Sequence, residues 1–234
     1  MPSININLNF MITNLEICID SCFGIDAAVE GGADRIELCS SLKYGGLTPS
    51  LEVLKLASEC DIPSRSMIRP RKGNFIYSSE ELKQMQGDID MVRSFNLEGV
   101  VFGATLPNGS LDQDLLEKLI SNSDNLKKTL HRAVDTMHKT IESVQVSIEL
   151  GFDTILSSGG EKSALEGLSV LSDMQSLASG KIDVMPGSGI NSITAKQILN
   201  SYHFDWIHSS CSIHKNADRY TDVESIKSLK NAIS

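Results

Sequence analysis

Two short segments pair a carboxylate with a thiol at the same spacing: Glu16-Ile17-Cys18, followed by Asp20, and Glu37-Leu38-Cys39, preceded by Arg35. Two thiolates brought together suit a soft ion such as Cu(I), or a thiol-bound Zn. Further along come Arg69 and Arg71, then His131-Arg132, Asp135 and His208. Acids, guanidiniums and imidazoles gathered in one place do another chemistry, acid–base catalysis on a small phosphorylated or anionic metabolite. In that reading Glu37 or His131 is the acid or base, Arg69 clamps the anion, and Glu16, Asp135 and His208 are further candidates. Two turns, Ser157-Ser158-Gly159-Gly160 and Pro186-Gly187-Ser188-Gly189, offer backbone N–H groups of the kind that cradle anions, the second just before a helix near Asn191. Glycine is equally the default for a tight turn. The expected anion rim is therefore Ser158, Gly159, Gly160, Gly187, Ser188 and Gly189.

These residues need elements to position them. Short apolar runs at 15–19, 35–39, 64–69, 99–102, 127–131, 154–157, 181–185 and 206–210 read as strands. Amphipathic stretches at 22–30, 50–60, 79–95, 112–123, 138–150, 163–178, 191–200 and 221–232 read as helices, one after each strand. Unbroken strand-then-helix alternation without linker or composition shift predicts an α/β fold, a single (β/α)₈ TIM-type barrel over 15–234. A doubly wound open sheet is the competing architecture, but no run looks like an edge strand. Residues 1–14 form a leader in which Ile4, Ile6, Leu8 and Phe10 alternate with asparagines, a strand-like period of two.

In a barrel, alternate strand residues face inward. The first strand then sends Glu16, Cys18 and Asp20 inside and Leu15, Ile17 and Ile19 toward the helices; the second repeats this with Arg35, Glu37 and Cys39. Cys18 and Cys39 are expected at matching positions on adjacent strands. Buried charge is costly unless paired, so Glu16 and Glu37 need partners, with Arg35, Arg69 and Arg71 the candidates. An ion-pair network that merely fills the barrel would use the same residues.

With 21 basic against 30 acidic side chains in 234 residues, the formal charge is −9, which disfavours nucleic acid. No stretch approaches the ~20 apolar residues of a membrane span, and no secretory signal is apparent. The five cysteines (Cys22 and Cys60 on helices, Cys211 after the last strand, Cys18 and Cys39) form no C-x-x-C, which points to free thiols in a reducing cytoplasm.

The ordered series Leu15-Glu16-Ile17-Cys18, Gly31 to Cys39, Gly45-Gly46-Leu47-Thr48-Pro49-Ser50, Met67 to Arg71, His131-Arg132-Ala133, Ser158-Gly159-Gly160 and Met185-Pro186-Gly187 closely resembles the CutC copper homeostasis family. The resemblance implies a TIM-type barrel, a cytoplasmic setting, homo-oligomers and a role in copper handling, with Cys18 and Cys39 in the positions of the family's copper-ligand cysteines. It brings no settled reaction and no organic cofactor. Its polar mouth falls on Glu16, Glu37, Arg69, Arg71, His131, Arg132, Asp135 and His208. Departures are Lys72 for Gly, Val134 for Phe, Ser157 for Thr and Ser188 for Gly, together with a shorter segment after His208.

Overall fold

Leu15, Ile17 and Ile19 are fully buried on one face of β1 (Asn14–Ile19), while Glu16 and Cys18 are buried on the other. The period of two is what separates the helix-facing side from the interior. The computed structural model describes residues 12–215 and 218–234; the alternating leader, apart from its last residues, lies outside them. Seven further parallel strands follow: β2 (Arg35–Leu38), β3 (Ser64–Met67), β4 (Gly99–Phe102), β5 (Lys127–Leu130), β6 (Thr154–Ser157), β7 (Asp183–Pro186) and β8 (Trp206–Ser209). Their order is β7-β6-β5-β4-β3-β2-β1-β8, and β8 lies against β7 to bring the ring round. This is the (β/α)₈ barrel expected.

The outer layer consists of α1 (Cys22–Gly31), α2 (Leu51–Ser58), α3 (Ser79–Ser94), α4 (Gln113–Ser123), α5 (Ser143–Leu150), α6 (Leu168–Ala178), α7 (Ser192–Ser201) and α8 (Val223–Ile233). Side chains that accept from the first-turn N–H groups start most of them: Ser21, Ser50, Asp112, Asn191 and Asp222, with a full capping box at α3 where Ser78 and Glu81 serve each other. One continuous apolar layer between strands and helices forms the core. α8 packs against both α7 and α1.

Three stretches differ from the sequence reading. α6 begins at Leu168 rather than 163, because Gly167 must first cross the Ser158–Gly159 backbone. A Cβ on Gly167 would sit 1.9 Å from the Ser158 carbonyl oxygen. Where a helix over 138–150 was expected, a short 3₁₀ turn, Thr140–Glu142, precedes α5. Between β8 and α8 the chain forms an antiparallel hairpin, β9 (Ser212–Lys215) with β10 (Asp218–Thr221), which the sequence reading did not anticipate.

Candidate functional site

The barrel interior is ionic. Glu16 is fully buried and bridges two cations: Arg35 Nε donates to its Oε2, and His208 Nδ1 lies 2.8 Å from its Oε1. Burial pushes the Glu16 carboxyl up, but the Arg35 guanidinium and His208 outweigh it and hold the group well below the usual carboxylate range. Arg35 stacks 3.7 Å over the Trp206 ring. Arg65, which the sequence reading passed over, fills the layer beside it, donating to Glu98 at 2.8 Å, Thr129 at 2.8 Å and Thr154 at 3.0 Å. Of the three arginines expected to compensate these acids, Arg35 does so, joined by His208, while Arg69 and Arg71 do not. Arg71 pairs with Glu81 outside the barrel.

The register corrects the expected cysteine pair. Glu16 lies opposite Arg35, and therefore Cys18 lies opposite Glu37, with Cys39 beyond the last partner of β1. The stagger of a barrel shifts like positions of neighbouring strands along the axis, so two Glu-x-Cys motifs do not come level. What gathers instead is Cys18 from β1, Glu37 from β2 and His208 from β8, whose ligand atoms all lie within 4.8 Å of one another and are all buried. Burial lowers the His208 pKa, yet Cys18, Glu37 and Glu16 around it raise it well above the ordinary imidazole value. The Glu37 carboxyl is raised, first by burial and then by the Glu16 carboxylate, with His208 acting against both. Cys39 turns toward Met67 and Val101, and its thiol donates to Glu37 Oε2 at 3.4 Å. Burial and the adjacent Glu37 push that thiol far up, so Cys39 stays protonated beside the cluster.

Above the cluster the strand C-termini open into a cavity of about 930 Å³ whose wall includes Cys18, Glu37, Arg69, His131, Asp135 and His208. All six acid–base candidates except Glu16, which sits beneath His208, thus meet at one mouth. Arg69 NH1 donates to the carbonyls of Tyr44 at 2.8 Å and Gly46 at 3.1 Å, and NH2 to that of Gly73 at 2.9 Å. His131 accepts the Ala133 N–H at Nδ1, 3.2 Å away. Burial, reinforced by the Arg69 charge, pushes its pKa down to about 3, so it is neutral. Phe75, first of the run Phe75-Ile76-Tyr77 between β3 and α3, lies under Arg69 at 4.6 Å and beside His131 at 4.9 Å between ring centroids. An apolar run of three directly after Arg69-Pro70-Arg71 was the available signal. Arg219, from the unanticipated hairpin, joins the wall and donates to Ser212 Oγ at 2.7 Å.

The two glycine turns part company. Ser158–Gly160 does cradle an anion, but it is the protein's own Asp135: Ser157 Oγ at 2.6 Å, Ser158 N at 3.0 Å, Ser158 Oγ at 3.0 Å and Gly160 N at 3.1 Å all donate to that carboxylate, as does Arg132 Nε at 2.8 Å. Those donors are spent. Of the second turn, Ser188 and Gly189 reach the cavity wall while Gly187 lies against Leu156 and His208. Ser188 holds the left-handed region at φ 80°, unusual for a residue with a side chain.

Residues 13–213 match the CutC family profile. The chain belongs to the CutC family. A CutC family protein of Agrobacterium fabrum is 46% identical over 198 residues, 85% of this chain and 79% of the relative. The copper homeostasis protein cutC homolog of Caenorhabditis elegans is 36% identical, over 94% of this chain and 95% of the relative. The crystal structure of CutC from Streptococcus agalactiae superposes with a TM-score of 0.80 at 28% identity, covering 86% of this chain and 99% of that one. The matched stretch carries every strand of the barrel and the cluster of Cys18, Glu37 and His208.

Proposed function

We propose that the chain serves copper homeostasis in the cytoplasm by binding Cu(I) with Cys18 and His208 as principal ligands and Glu37 beside them. The observation that carries this is the convergence of a thiol, an imidazole and a carboxylate within 4.8 Å at the closed end of the mouth. Thiolate and imidazole are ligands that a soft cuprous ion accepts. Metal binding displaces the Nε2 proton of His208 while Nδ1–H stays on Glu16, the carboxylate–histidine arrangement that orients metal-binding imidazoles. The free state of all five cysteines fits a reducing compartment. Anaerobic competition against a Cu(I) chelator tests the ligand set. Cys18→Ser and His208→Ala are expected to weaken binding by more than tenfold and Cys39→Ser by less than threefold. Equal losses at Cys18 and Cys39 would restore the thiol pair, and unchanged affinity in all three would end the copper reading of this site.

A second reading rests on size. A cavity of about 930 Å³ is in the range of small-molecule sites, far larger than an ion requires. Its wall includes Glu37, Arg69 and His131, a carboxyl, a guanidinium and an imidazole at one mouth. An enzyme acting on a small anionic metabolite, as lyase, isomerase or hydrolase, would use such groups.

A further inference from the structure

The geometry points to a phosphate subsite on the β7 and β8 side of the cavity, where the Arg219 guanidinium holds the phosphate group of a small organic phosphate monoester. The inference rests on the second reading above, that the mouth receives a small anionic molecule, and adds the class of anion and the residues that grip it.

Arg219 enters from β10 and is fixed by one bond, from its Nε to Ser212 Oγ on β9 at 2.7 Å. Ser212 stands diagonally across the hairpin, because its direct partner is Thr221, two residues beyond Arg219. Nη1 and Nη2 are left without a partner among the described residues, and no carboxylate among the described side chains pairs with them. The residue is half-buried, yet both nitrogens stay open to solvent. Covalent geometry holds the two side by side, so they present parallel N–H groups that fit two oxygens of one anion.

The surrounding wall adds donors. Arg219, Ser210 and Ser212 line the cavity together, and the two serine hydroxyl oxygens lie 3.1 Å apart, sharing one hydrogen bond. Two hydroxyls carry two hydrogens, so one is left that no described group accepts. Ser188 and Gly189, after β7, belong to the same wall, and their backbone N–H groups donate to nothing among the described residues. A carboxylate would be satisfied by the guanidinium alone. The further hydroxyl and amide donors suit the third oxygen of a phosphate, and the loops after β7 and β8 are where (β/α)₈ barrels characteristically hold one.

The acids of the cavity wall leave this charge standing. Asp135 is taken up by Arg132 and the Ser158–Gly160 turn, Asp222 accepts from Ser225 N and Oγ at the start of α8, and Glu224 pairs with Lys227. Glu161 is exposed, where solvent and salt screen it. A cavity of about 930 Å³ holds far more than inorganic phosphate, so the organic part of an ester shares the space with Glu37 and His131.

Calorimetric titration of metal-free protein tests the subsite with inorganic phosphate, α-glycerophosphate and phenyl phosphate, set against acetate. The phosphates are expected to bind saturably and to compete with one another, and acetate to bind about tenfold more weakly or not at all. Arg219→Gln should weaken phosphate binding about tenfold, and Arg219→Lys, which keeps the charge and loses the fork, about threefold. Melting temperatures report whether each variant folds; if Arg219→Gln does not, Arg219→Lys and the ligand series decide. Acetate bound as tightly as phosphate, inorganic phosphate bound with both esters excluded, or native phosphate affinity in a folded Arg219 variant would each overturn the subsite. The second reading fails separately. Turnover of an unphosphorylated acid, unchanged in Arg219→Gln, would remove the subsite and keep that reading, whereas phosphate held by Arg219 in a protein that turns over no metabolite would do the reverse.

Discussion

At the residue scale the barrel interior shows how charges are kept without water. Glu16 survives full burial because two cations saturate its two oxygens, and breaking such a pair leaves an uncompensated charge that costs more than the pair contributes. His131 takes the other route and stays neutral. Its pKa of about 3 in the fold lies below the 6.5 it has in an unfolded chain, so between those values the unfolded chain binds the proton and the native one does not. Stability therefore rises with pH through this window; the full contribution is present above 6.5 and is lost progressively as pH falls toward 3. At pH 5 the loss from this group is about 2 kcal/mol, at roughly 1.4 kcal/mol per pH unit. His131→Asn keeps an acceptor for Ala133 N–H but cannot titrate. Urea unfolding at pH 7 and pH 5 should show the native protein losing about 2 kcal/mol more than this variant, and equal losses would mean that His131 is not held neutral.

At the scale of elements, the strands and their inward faces were legible because a period of two sorted Glu16 and Cys18 from Leu15, Ile17 and Ile19. The register was not legible. Nothing in Glu-x-Cys tells how far one strand slides past its neighbour, and that slide moves Glu37 opposite Cys18 and sets Cys39 aside. The hairpin after β8 escaped because residues 212–221 are mostly polar and show no apolar alternation. The Ser158–Gly160 turn was legible as an anion cradle, whereas its occupant, brought from the loop after β5, was not. Asp135→Asn tests that occupancy. It turns one accepting oxygen into a donor facing Arg132 and the Ser158 hydroxyl, at a cost of about 2 kcal/mol. Hydrogen exchange at residues 158–160 should accelerate more than tenfold while Cu(I) affinity is unchanged, because the cluster of Cys18, Glu37 and His208 touches none of these groups. Exchange at the native rate would show that the carboxylate does not hold the turn.

At the scale of the molecule, the first and last units of the chain depend on each other. β1 lies between β2 and β8, and α8 packs between α7 and α1, so the helical layer is completed only when the C-terminal helix docks. The contact is close. Ile226 of α8 is fully buried, and a Cβ added to Gly31 of α1 would come within 2.5 Å of the Ile226 Cβ, so small residue and branched residue are matched across the closure. Ile226→Ala leaves a hole at that seam and is expected to cost about 2–5 kcal/mol, the range for removing a buried branched side chain that its surroundings cannot collapse onto. The proposed metal ligands hang on the ladders of β8, β1 and β2, inside the layer that Ile226 only covers. Stability and site should therefore separate: the variant melts several degrees lower, yet binds Cu(I) as the native protein does at a temperature where both are folded. Saturating Cu(I) should then raise both melting temperatures, since an ion that binds only the native state stabilises it by mass action whatever the starting stability. A variant that is folded at the assay temperature but has lost Cu(I) affinity would show that closure by α8 positions the site rather than merely sealing the barrel around it.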